Sequence, residues 1–85
     1  MTIASTDAIR AGLDQAHWTI RDLWIAALGV GGAFTQADVG AIAAGARDAT
    51  PLEHDILAAA MNDHFTEQGL DHPIGYWSSL AVGDR

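Results

Sequence analysis

The residues best suited to chemistry in this 85-residue chain are four histidines and eleven acids; it has no cysteine and no lysine. Metal-binding helices usually present ligands three or four positions apart, because that spacing puts them on one face. His54, His64 and His72 stand ten and eight apart, and no H-x-x-x-H pair involves them or His17. Asp63 and Glu67 do share a helical face, and His64 stands three before Glu67. His64, Glu67 and His72 are therefore the weak candidates for a metal site, and a metal-responsive sensor is one function they could serve. Without cysteine there is no disulfide scaffold, thiolate zinc site or thiol nucleophile.

Catalysis by a hydroxyl needs an activating base. Ser78 and Ser79 have no histidine or acid at a spacing that implies one, and a chain of this length leaves little room for a pocket of several hundred Å³. Gly29, Gly31 and Gly32 are not a phosphate cradle, since no Gly-x-x-x-x-Gly-Lys pattern exists and the preceding segment reads as helix rather than strand. The chain is expected not to be an enzyme, and no cofactor is implied.

Charge sharpens the exclusions. Eleven acids face only Arg10, Arg21, Arg47 and Arg85, a net charge of -7, so phosphate backbones would repel the chain. Residues 35–47 and 51–68 could be read as a helix-turn-helix, but the second helix would present Glu53, His54 and Asp55 where a DNA reader places Arg, Asn or Gln. Direct nucleic-acid binding is not expected. An acidic mimic of nucleic acid that occupies a basic partner is an alternative, and it needs carboxylates along one face. Asp14, Asp22, Asp38, Asp48 and Asp55 lie on separate elements.

The elements that would hold these residues are marked by helix caps. A threonine followed three positions later by an acid, the capping-box arrangement, recurs at Thr19/Asp22, Thr35/Asp38 and Thr50/Glu53, with Pro51 strengthening the last. A first helix is expected to start near Ser5 or Thr6, with Ile9, Leu13, Ala16 and Ile20 on one face. That stripe runs on through Leu23, Trp24, Ala27 and Leu28 and so conflicts with the cap at Thr19; a bend near Trp18 is the reading adopted. The glycines at 29, 31 and 32 end the second helix. Gly40 and Gly45 in the third leave room for a neighbouring backbone. Gly69 and Pro73 end the fourth.

These signals predict an all-α fold, one domain over 1–85, a small bundle of three or four helices at about 6–18, 20–29, 36–47 and 51–68 with an irregular tail over 71–85. The N-terminus lacks a basic segment followed by an apolar stretch, so a cytoplasmic location is expected. The longest uncharged run, Leu23 to Ala37, has fifteen residues, short of the roughly 20 that span a bilayer, so no membrane association is expected.

The last helix is apolar on two sides, with Leu52, Ile56 and Ala59 on one and Leu57, Met61 and Phe65 on the other. Such a helix is central or bridges two chains. A protein partner or a second copy is expected at Leu57, Met61 and Phe65, with Tyr76 and Trp77 as aromatic anchors. The function expected is that of a noncatalytic protein–protein interaction module, a small regulator or adaptor. In order of features, TIRDLW at 19–24, Ala-Leu-Gly at 27–29, Gly31-Gly32, the Asp38 to Gly45 helix, EHDILAAAMNDHF at 53–65 and GLDHPIGY at 69–76, the chain resembles short acidic helical proteins of actinobacteria. The lysine-free, alanine-rich composition suits such a high-GC genome. The resemblance implies no activity, cofactor or catalytic residue.

Overall fold

The computed structural model of the chain describes residues 4–70 and 73–77. Four helices form, α1 (Ala4–Ala16), α2 (Ile20–Gly29), α3 (Gln36–Ala44) and α4 (Pro51–Glu67), with no strand among the described residues. Each of the three threonine boxes is made in both directions. The Thr19, Thr35 and Thr50 hydroxyls accept from the backbone of Asp22, Asp38 and Glu53, whose carboxylates accept from the threonine N–H groups in return.

The four helices end alike. After each, a residue in the left-handed region lets its own N–H and the next reach back to the last turn, the Schellman arrangement. Gly31, Gly45 and Gly69 occupy that position, and so does His17 (φ 58°). The paired bonds run, for example, from Leu70 N–H to Phe65 O at 2.9 Å and from Trp18 N–H to Leu13 O at 3.0 Å. A left-handed His17 followed by the Thr19 box breaks the continuous apolar stripe of residues 6–29 into α1 and α2. Gly45 ends α3 at Ala44, three residues short of the expected Arg47, because a left-handed glycine terminates the helix there instead of making room for a neighbour.

Helix α1 starts at Ala4, beside the expected Ser5 or Thr6. Both lie inside α1 and are buried. Thr6 donates to Ile42 O at 2.8 Å, which ties the start of α1 to the end of α3. Buried hydroxyls need such partners, since one left unpaired costs about 1–3 kcal/mol.

Helices α1 and α2 each pack against both α3 and α4. The four thus form a ring in which α4 lies between α1 and α2, which is why it is apolar on two sides. Ile9 and Leu13, Leu23 and Ala27, Val39 and Ile42, and Leu57, Met61 and Phe65 meet in one core. Gly12 marks the closest approach of α1 to α4: a Cβ there would lie 2.6 Å from Met61 Sδ and 2.9 Å from Ile74 Cδ1.

Candidate interaction surface

The residues expected to bind a partner are inside. Leu57, Met61 and Phe65 are 0% exposed, so the proposed contact face is a correction: it is core, used up by the two helices that α4 serves at once. Trp77 is also occupied by its own chain. Its backbone N–H donates to Asp55 Oδ1 at 2.7 Å, and its ring meets His54 edge-on at 6.0 Å between centroids. Tyr76 remains exposed.

The α1 side of α4 is closed by the segment 73–77. Asn62, buried, donates from Nδ2 to Ile74 O at 2.9 Å and accepts from Ile74 N–H at 3.0 Å. His54, fully buried two turns earlier, reaches Gly75 O through Nε2 at 2.8 Å and Ser5 Oγ through Nδ1 at 2.6 Å. Because Gly75 O can only accept, Nε2 of the neutral ring carries the hydrogen and the Ser5 hydroxyl donates to Nδ1. His54, Asn62 and Asp55 thus fix the tail segment. The sequence reading gave none of them this part, although a histidine and an asparagine eight positions apart inside an apolar helix are polar groups on one face that need partners.

Where α2 packs against α4, the outer rim of the contact is hollow. There the side chains of Trp18, Ala26, Val30, Asp63, His64 and Glu67 surround a concavity of about 300 Å³. Gly31, Phe34, Asp38, Leu52, Glu53 and Ile56 surround another of about 240 Å³. The first lies between the end of α2 and α4, and the second between the α2–α3 connection, the start of α3 and the first turns of α4. The outer face of α2 carries aliphatic side chains in water: Ile25 is 50% and Leu28 46% exposed, and Leu52 at the start of α4 is 70% exposed. Trp24 closes the far side by donating from Nε1 to Phe34 O at 3.0 Å.

A wider, shallow concavity of about 590 Å³ lies between α1, the start of α2 and α3, with Arg10, Asp14 and Trp18 on its wall. The chain was expected to leave little room for a pocket of several hundred Å³, and this concavity is open to solvent rather than enclosed. The helices are too short to cover one another fully.

Of the metal candidates, His64 and Glu67 border the same concavity. His64 is partly buried, with its ring 4.7 Å from that of Trp18 and Nε2 buried without a hydrogen-bond partner, while Glu67 is exposed. His72 lies outside the described residues, and among those described no group of three or more His, Asp or Glu is placed to hold a metal ion. Several of the acids are engaged within the chain. Asp22, Asp38 and Glu53 are held in caps, and Asp55 holds the tail.

One charged contact stands out at the α3–α4 corner. Arg47 grips Glu53 with two parallel bonds of 2.9 Å and also donates to Asp48 O. The Arg47 hydrogen bonds, with the Thr50 N–H, hold the Glu53 carboxyl down to about 2, against the cost of its partial burial. Arg47 is raised, chiefly by its bonds to Glu53. No described helix is long and apolar enough to cross a membrane.

No protein-family model, curated protein or solved structure matches the chain.

Proposed function

We propose that the chain is a noncatalytic interaction module, an adaptor or small regulator, that engages a protein through the outer face of α2 and the α2–α4 seam. The observation that carries this reading is the exposure of large aliphatic side chains, Ile25 and Leu28 three residues apart on one face of α2 and Leu52 at the start of α4. A chain this small needs its apolar residues for its core. Large exposed aliphatics gathered on one face are the usual mark of a contact surface.

Native mass spectrometry of the tagged protein drawn from its own cells tests this, with an Ile25→Asp, Leu28→Asp double variant beside it. The wild type is expected above the 8.9 kDa of one chain. The variant should return to that mass, with affinity lowered at least about tenfold and stability changed by about 0.5 kcal/mol or less per exposed site. A wild type that stays a single chain, or a variant that stays assembled, overturns the reading.

A further inference from the structure

The partner's chemistry can be read from the rim of the seam, and this inference rests on the contact surface just proposed. We propose that the α2–α4 seam receives an amphipathic helix of a partner protein, apolar on the face it presents and basic at both flanks.

Three observations point to that occupant. The first is shape. From Leu52 to Glu67 the seam follows α4 for about 22 Å, the length of a helix of about fifteen residues. The concavity between α2 and α4 and the one beside the α2–α3 connection at the start of α4 are the sort of holes that side chains on one face of a helix would fill in helix-in-groove recognition. The second is charge at the rim. Asp63 and Glu67 border one concavity and Asp38 and Glu53 the other, so carboxylates stand at both ends of an aliphatic middle. Arg47 is bound to Glu53 and offsets its charge, so the negative charge of the rim rests on Asp63, Glu67 and Asp38.

The third is net charge. A second copy would bring another -7 to a chain of -7, whereas a basic segment is drawn in. Self-association through this seam is therefore disfavoured. A cationic flank fits.

The test uses the whole chain and three synthetic helical peptides of about four turns. One has leucines along one face and lysines on the other; a second carries glutamate in place of lysine; a third has the lysine peptide's composition in scrambled order. Titration is followed by the amide and indole NMR signals of the labelled protein. The lysine peptide should shift Trp18, Ala26, Val30 and Ile56, and it should weaken as salt rises. Asp63→Asn and Glu67→Gln should each weaken it about threefold.

Leu52→Asp is the decisive variant. It makes the protein more acidic, so a merely electrostatic attraction would strengthen, whereas docking in the seam should fall at least about tenfold. The substitution places an acid in the first turn of α4, where the helix favours one, so folding is preserved. Equal binding of the glutamate or scrambled peptide, tighter binding by Leu52→Asp, or no binding of the lysine peptide overturns the inference. The first of these leaves the contact surface standing, and that surface is judged separately by the native mass.

Discussion

On its α1 side, α4 meets the segment 73–77 with three polar side chains, each of which has a partner: His54 with Gly75 O, Asp55 with Trp77 N–H, and Asn62 with both backbone groups of Ile74. On its α2 side the same helix borders open concavities, aliphatic side chains stand in water, and His64 Nε2 lies buried with no partner. The difference follows from what covers each flank. A backbone segment that lies against an apolar helix brings N–H and C=O groups that must be satisfied, so polar side chains are required opposite it. The other flank is covered by α2, a helix whose backbone groups are bonded within itself, so no polar match is required opposite it. One flank is held by hydrogen bonds to the tail segment; the other is held by apolar packing with a hollow rim.

The largest effect should come from the core both flanks share. Phe65, fully buried in the core, should cost about 3–5 kcal/mol when replaced by alanine, read from urea unfolding followed by circular dichroism. A Phe65→Ala protein of unchanged stability that only loses a partner would return this residue to the surface and dissolve the comparison.

Next in size is Asn62→Leu, which keeps the volume roughly but strands two backbone groups of Ile74 at about 1–3 kcal/mol each. Hydrogen exchange should quicken at Ile74 and Trp77 first, ahead of α2 and α3. Uniform quickening across all four helices would show that the tail segment is part of the core and not a separately latched piece.

Much of the fold was legible because it is written in local chemistry. Thr19, Thr35 and Thr50 with their acids, and the glycines at 31 and 69, act within a turn of themselves, so their spacing alone located three helix starts and two ends. What escaped was nonlocal. His17 ends α1 in a left-handed conformation that only its context enforces. Ser5 and Thr6 stand at the expected start of α1, yet their partners lie 49 and 36 positions away. The two-sided apolar pattern of α4 was correctly seen as central, but a sequence cannot say whether the second side faces another helix of the same chain or of another. Leu57, Met61 and Phe65 were assigned to the wrong one. Ile25 and Leu28 were readable in principle, since α2 has more apolar residues than one face can bury.

A smaller effect belongs to the Arg47–Glu53 tie at the α3–α4 corner. Folded Glu53 binds its proton less readily than the unfolded chain does, near 2 against the ordinary carboxylate value of about 4.3. Its contribution is thus complete above the unfolded value and drains away as pH falls through 4 towards 2. Wild type and Glu53→Gln should differ in melting temperature at about pH 6 and converge by about pH 2. A gap that is constant across this range would mean that the carboxylate charge contributes nothing and the cap geometry alone matters.

The smallest effect tests the α2 flank most directly. His64→Phe keeps an aromatic ring against Trp18 and removes the nitrogen that has no partner, so stability should be unchanged or rise by up to about 1 kcal/mol. This is opposite in sign to Asn62→Leu, although both replace a polar residue by an apolar one on the same helix. If thermal unfolding instead shows His64→Phe losing as much as Asn62→Leu, the His64 nitrogen is engaged in solution. The two flanks would then differ only in what satisfies them. If the signs differ as expected, α4 carries one flank held by hydrogen bonds and another held by apolar packing with a hollow rim.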